Sequence, residues 1–228
     1  MWKQWLLAAA VTILGMISVA SAHYLWVGID SRGGDHGIAN IYFEEGPAPG
    51  DGSYLDPFVA AGKTWIRTVA EPQAKLLDVK EINEVKKRWL QAQLTAEAPR
   101  SIDSYGKFGV YRYGQTDVLL HYYARNLNVT THEDLHELSR SEQLDLDIVP
   151  HDHGKDIQLT VLWKGEPAVD RMMYIRGPKG FRKNVKTNDK GQVEFPIENP
   201  GQFLFRTFVE VHTPGKDDGK DYAFVLHI

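Results

Sequence analysis

The stretch HYLWVGIDSRGGDHGIANIYFEE, residues 23–45, carries strand-like short apolar runs with a period of two on both sides of a glycine-rich centre. A period of two puts every second side chain on one face of an extended chain, so the stretch predicts two strands. SRGGDH, residues 31–36, supplies the turn, because glycine accepts the backbone conformations that a tight reversal needs. A hairpin closed on those residues sets Asp30 opposite Gly37 and His23 opposite Glu44.

Toward the C-terminus the same texture recurs in KTWIRTVA (63–70), AKLLDVKEI (74–82), RWLQAQLT (88–95), KFGVYRYG (107–114) and DVLLHYYARNL (117–127). Turn-rich pieces such as EEGPAPGDGSYLDP (44–57) separate them. EINEVKKRWLQAQL (81–94) has the charge and propensity of a helix, but the alternation in WLQAQL predicts a hairpin instead. One short helix is expected over HEDLHELSR (132–140), with Thr131 as its N-cap and Asp134 three positions on. LDLDIVP (144–150) then alternates again, and HDHGKD (151–156) reads as a polar junction. From Ile157 onward, strands of ordinary length lie between turns such as Asn188-Asp189-Lys190-Gly191 and Asn199-Pro200-Gly201, which predicts a small antiparallel β-sandwich. The expected fold is therefore all-β, with an N-terminal sandwich or barrel-like domain over 23–150 and a boundary near 150–154.

Residues 1–22 read as a signal peptide: Lys3 supplies a positive start, Leu6 to Val19 is uncharged and apolar, and Ala20-Ser21-Ala22 offers small residues for cleavage. Cleavage after Ala22 starts the mature chain at His23, and cleavage after Ala20 starts it at Ser21. The apolar run falls short of the roughly 20 residues that cross a bilayer, and no second run of that length follows. The mature chain is thus expected in the periplasm or outside the cell, without a membrane span. With no cysteine, disulfides, thiolate metal sites and a cysteine nucleophile are excluded. Loss of Lys3 takes the formal charge from −4 to −5, a mild acidity that argues against a nucleic-acid partner.

AHYLWV after a signal-like segment, KFGVYRYG, LLHYYAR, LDLDIVP, and VLWKGEP followed by TNDKGQVEF and PG together resemble a family of bacterial secreted proteins tied to nickel or cobalt uptake. The resemblance runs over nearly the whole mature chain. It implies a nickel or cobalt cargo and a membrane transporter or another envelope protein as partner. The C-terminal part, 155–228, resembles the transthyretin-like or carboxypeptidase-regulatory β-sandwich, an Ig-like module found in many unrelated exported proteins, which by itself carries no function.

A mature chain starting at His23 carries a free α-amine beside an imidazole. The amine and Nδ1 can close a chelate ring on one ion, as in histidine-brace copper proteins. Such nitrogen ligands suit Cu(II) and Ni(II), with copper held more tightly. A start at Ser21 places His23 third, and the amine, two deprotonated amides and the imidazole then form a square-planar set that favours the same ions. His121 on a neighbouring strand is the first choice for a further ligand. Glu44 or Glu45 across the hairpin and His227 follow. His36, about 23 Å along the hairpin at ~3.3 Å per residue, is too far to join. His151 and His153 share one face of an extended chain and form a second, separate candidate pair.

His132-Glu133-Asp134-Leu135-His136 matches the zinc-peptidase pattern of two histidines one helical turn apart with a glutamate between them as general base. Here the pattern opens a short, polar helix instead of lying within a long apolar one. No third ligand on a following helix is predicted, so a solvated helix face is the reading adopted. No nucleophile elbow or phosphate loop occurs. The leading expectation is non-catalytic binding of a transition metal (nickel, cobalt or copper). A structural, carbohydrate-binding or protein-binding β protein and a zinc metallohydrolase are the alternatives.

Overall fold

The computed structural model describes residues 23–228, so the signal segment expected over 1–22 lies outside the described residues. The described chain is all-β, with two short α-helices. β1 (Tyr24–Asp30) and β2 (Ile38–Glu44) form the expected antiparallel hairpin, but with Tyr24 opposite Glu44 and Asp30 opposite Ile38. The register is thus one residue away from the predicted one, and Gly37 is the reason. Its φ of 90° belongs to the turn, and its carbonyl accepts the amide of Leu94. A Cβ at this position would come within 2.9 Å of the Asp30 carbonyl oxygen, so only glycine fits there.

α1 (Asp56–Ala61) drops Phe58 into the interior, and β3 (Lys63–Thr68) and the two-residue β4 (Lys75–Leu76) follow. β5 (Val79–Glu84) and β6 (Lys87–Gln93) make the hairpin that the alternation of WLQAQL predicts, with Glu84 opposite Lys87. Lys86, at φ 61°, takes the left-handed conformation that a two-residue turn requires. β7 (Arg100–Tyr113) and β8 (Thr116–Asn128) form a long antiparallel pair with an irregularity between Lys107 and Gly109. α2 (His132–Leu138) is capped as expected, the Thr131 hydroxyl accepting the Asp134 amide at 3.1 Å.

β9 (Leu146–His153) and β10 (Asp156–Trp163) pair with His153 opposite Asp156. The domain boundary expected near 150–154 thus falls at the end of a strand and the start of its turn, and the HDHGKD stretch (151–156) joins β9 to β10. β11 (Glu166–Pro167), β12 (Met172–Arg176), β13 (Arg182–Lys186), β14 (Gln192–Pro196) and β15 (Leu204–Arg206) complete two small sheets. One joins β9, β10, β11 and β14, and the other has the order β13-β12-β15. The chain continues through β16 (Val209–Val211), β17 (Gly215–Asp217), β18 (Lys220–Tyr222) and β19 (Phe224–His227).

The last strand leaves the small sheets. β19 lies parallel to β8 with His227 opposite His121, and β16 pairs with its other edge. The result is a six-stranded sheet of order β16-β19-β8-β7-β3-β4. It faces the sheet β1-β2-β6-β5 across one core, which holds Ile41, Phe43, Phe58, Leu90, Ile102 and Tyr122. Leu159, Val161, Met173, Ile175 and Phe195 fill a second core between the two small sheets. Neighbouring residues of β8 serve the two: Tyr122 is buried in the first core, and Tyr123 packs against the second.

A buried ion-pair network fastens these layers. Arg125 of β8 sends Nε to Asp103 of β7 at 3.0 Å and a second nitrogen to Asp147 of β9 at 2.8 Å. Ser141 closes the ring, its amide bonding Asp147 at 2.8 Å and its hydroxyl bonding Asp103 at 2.6 Å. Arg125 also donates to the Ser139 carbonyl just past α2. Burial pushes the Asp147 carboxyl up, and the Arg125 charge pulls it back.

Candidate functional site

His23 stands at the foot of β1, with its ring edge-on to Tyr54 at 5.0 Å and tilted against Phe43 at 5.7 Å. Its Nε2 lies 3.8 Å from Oε2 of Glu44, with both side chains mostly covered. This is not the cross-strand approach read from sequence, since Glu44 faces Tyr24 in the ladder. The Glu44 carboxylate instead turns toward the loop after β2, where Oε1 accepts the Gly52 amide at 3.3 Å and the carboxylate lies against Gly50. A Cβ on Gly50 would meet all three carboxyl atoms of Glu44 at 2.3–2.4 Å, so the loop forms a seat that only glycine leaves open. In the same loop Asp51 is held below the usual carboxylate range, chiefly by the Ser53 hydroxyl and amide and to a lesser extent by the charge of His23. The only sequence signal for this seat is the turn-rich EEGPAPGDGSYLDP, whose composition marks a connection and not a site.

His121 is elsewhere. Its neighbour Tyr122 faces the first core against Phe43, so His121 points to the opposite face of the central sheet. The fold therefore brings Glu44 to His23 and keeps His121 away from both. What His121 meets is His227, stacked on it at 4.9 Å between rings. The Tyr105 hydroxyl engages Nδ1 of His121 at 2.8 Å, and the Tyr123 hydroxyl engages Nδ1 of His227 at 3.0 Å. Trp163 of β10 covers the His227 ring at 4.2 Å. Burial pulls both imidazoles below their ordinary range, His227 to about 4, so His227 is neutral at physiological pH. Sequence reasoning ranked His227 as a minor alternative and missed Tyr105 and Tyr123. Tyr123, next to Tyr122, takes the other face of β8 with His121 and pairs with Tyr105 of β7, whereas the parallel return of β19 has no local signal.

His132 and His136 occupy one exposed side of α2, whose inner side is anchored by buried Leu138. His132 lies 3.7 Å from Asp152, and His153 lies 3.7 Å from Glu194. Among the described residues, no group of three or more His, Asp or Glu side chains is placed to hold an ion. The helix is seven residues long and polar on its exposed side, the setting that weighed against the peptidase pattern.

No protein-family model and no curated protein matches the chain. Among solved structures, it is similar to the crystal structure of a pullulanase complexed with maltotriose from Anoxybacillus sp. LM18-11, at 9% identity and a TM-score of 0.19. That match covers 82% of this chain and 24% of the pullulanase, so the chain spans about a quarter of that protein's length.

Proposed function

We propose that the chain is exported and binds a divalent transition metal through its processed N-terminus, as a carrier, buffer or uptake accessory without catalysis of its own. Cleavage after Ala22 frees the His23 amine beside Nδ1, two nitrogen donors that suit Cu(II) or Ni(II). The observation that carries this reading is the approach of Glu44 to Nε2 of His23 at 3.8 Å. A chelate through the amine and Nδ1 leaves Nε2 as the remaining ring nitrogen, and a carboxylate beside it orients the ring and raises its basicity. Glu44 is then the orienting partner and His23 the ligand, with water completing the set.

Nickel or cobalt follows from the family resemblance, and copper from the ligand chemistry. The same resemblance supplies the transthyretin-like reading of the C-terminal part and a membrane transporter or another envelope protein as the recipient of the ion. The test is an intact-mass spectrum of the exported protein with and without added Cu(II) or Ni(II). A chain starting at His23 that retains one ion, and loses it on His23→Ala, supports the proposal. A chain starting at Ser21 that retains one ion moves the site to the square-planar terminal set. A mature chain that retains no ion from either start refutes it.

A further inference from the structure

The outer face of the sheet β1-β2-β6-β5 carries a row of aromatic rings. Leu25, Ile41, Phe43 and Leu90 point into the first core, so alternation turns Trp26, Tyr42 and Trp89 the other way. Trp26 of β1 pairs with Tyr42 of β2, and Trp89 of β6 is one step past the Ile41–Leu90 pair, level with Tyr42. All three are partly exposed. With about 4.8 Å between neighbouring strands, the row runs about 10 Å from its first strand to its third.

Both indoles are pinned. Trp26 donates its Nε1–H to the Glu44 carbonyl at 2.8 Å, and Trp89 donates to Oδ1 of Asn40 at 3.0 Å. Both acceptors belong to β2, so each ring is tied to the strand of Tyr42 and has no donor left to offer. What remains of these indoles is a flat apolar surface. A second row, Gly28, Asn40 and Gln91, runs beside the first. Because an indole can only donate, Trp89 fixes the Asn40 amide with its oxygen toward the ring, and Gln91 Nε2 donates to the same oxygen at 3.0 Å. That leaves Asn40 Nδ2 as a donor and Gln91 Oε1 as an acceptor beside the rings. Flat apolar rings flanked in this way match the two aspects of a pyranose, C–H bonds on its face and hydroxyls that both donate and accept on its rim. Neither row holds a charged side chain, so complementarity asks for an uncharged ligand. The strip is also only one ring wide, far short of the roughly 800 Å² that a stable protein complex buries on each partner, which argues against a second copy of the chain.

We propose that this face binds an uncharged glycan in extended form, a β-1,4-linked pyranose chain, with successive sugar rings stacked on Trp26, Tyr42 and Trp89 and with Asn40 and Gln91 bonding its hydroxyls. The site is independent of the terminal metal: neither the His23 imidazole nor the Glu44 carboxylate takes part, and binding needs no ion.

The test titrates the exported protein, in the presence of a chelator, with cellotetraose and separately with maltotetraose, whose α-1,4 links curve the chain. The indole N–H resonances of the wild-type protein report directly. Those of Trp26 and Trp89 should shift with cellotetraose, while those of Trp65 on β3 and Trp163 on β10 stay in place. Tyr42→Ala should weaken binding by at least about tenfold. A Cβ on Gly28 meets Tyr42 at 3.5 Å, an ordinary contact, so Gly28→Glu should keep the fold, as circular dichroism can check, while placing bulk and charge beside the rings and abolishing binding. Unmoved Trp26 and Trp89 resonances, equal binding of maltotetraose, or undiminished binding in both variants overturns the proposal. Shifts that follow the concentration of protein and not of sugar would make a second copy the occupant, and they overturn it as well. Metal retention at His23, measured on the same protein without chelator, can fail without changing any of these readings.

Discussion

His121 and His227 face each other across parallel strands, with rings stacked 4.9 Å apart and each Nδ1 engaged by a tyrosine hydroxyl. Two imidazoles this close cannot both carry charge cheaply. Burial is the main cause of the low value at His227, and the proximity of His121 and then Lys164 adds to it. Stability should follow. His227 titrates at about 4 in the fold and near 6.5 in the unfolded chain, so between those values the unfolded state binds more protons. The fold is then fully favoured above the window and loses stability as pH falls through it. Urea midpoints measured from about pH 7 down to about pH 4 should decline, and His227→Phe should flatten the slope. A wild-type profile that is level across this range would show that the stack carries no such linkage.

The Arg125 network makes a second, larger prediction. Asp103 and Asp147 are both almost wholly buried and share Arg125 as their counter-charge. Replacing Arg125 with Met leaves two carboxylates buried without a counter-charge, which costs about 3–5 kcal/mol in comparable sites. Urea denaturation should register that loss. Replacing Asp103 and Asp147 by Asn in the same chain should recover part of it, because the groups left uncompensated are then neutral. If Arg125→Met moves the midpoint no further than a surface substitution does, the network is not the fastener between β7, β8 and β9.

At α2 the expected effect is local. Thr131 caps the helix through its hydroxyl, and an alanine there costs typically ~1 kcal/mol. The Leu135 and Ser139 amides, bonded to the Thr131 and Leu135 carbonyls, should exchange with solvent about fivefold faster in Thr131→Ala, while global unfolding moves less. Equal acceleration across β7 and β8 would mean that α2 does not open independently of the sheets.

The parts of this fold legible in the sequence are those set by neighbours along the chain. The β1–β2 and β5–β6 hairpins follow from alternation, and the Thr131 cap follows from a hydroxyl three residues before an acidic side chain. The one-residue error in the first register shows the limit of that reading. Gly37 fits an alternating pattern equally well as strand or turn, and only its contact with Leu94 decides the matter. The parallel return of β19 to β8 joins residues about a hundred positions apart, a pairing no local pattern encodes. His121 thus lies on a strand that the local pattern predicts, but its neighbour in the fold is His227 and not His23. For the same reason the Glu44 seat was invisible, since it depends on Gly50 and Gly52 folding back beneath the carboxylate.

That seat gives a way to weaken the terminal site without touching a ligand. The atoms a Cβ on Gly50 would strike belong to the far end of the Glu44 side chain, which can swing aside at little cost to the fold. Gly50→Ala should then leave the thermal midpoint nearly unchanged while displacing the carboxylate from His23. Metal retention by the exported protein should fall toward that of a chain lacking the carboxylate. Retention equal to wild type would mean that the position of Glu44 is irrelevant to the ion.

Glu44→Gln separates the two roles a carboxylate at this position can have. An amide keeps the size of the side chain, but it cannot stabilise positive charge on the ring and is a poorer metal ligand. If Glu44 orients the imidazole, as its approach to Nε2 suggests, affinity should fall by about 10–100-fold with one ion still bound at saturation. His23→Ala should remove the terminal ion altogether, because the chelate then has no Nδ1. Competition titrations of the three proteins against a chelator of known affinity read both quantities at once. Loss of the ion at saturation in Glu44→Gln would make Glu44 a direct ligand, and unchanged affinity would leave the 3.8 Å approach as packing alone.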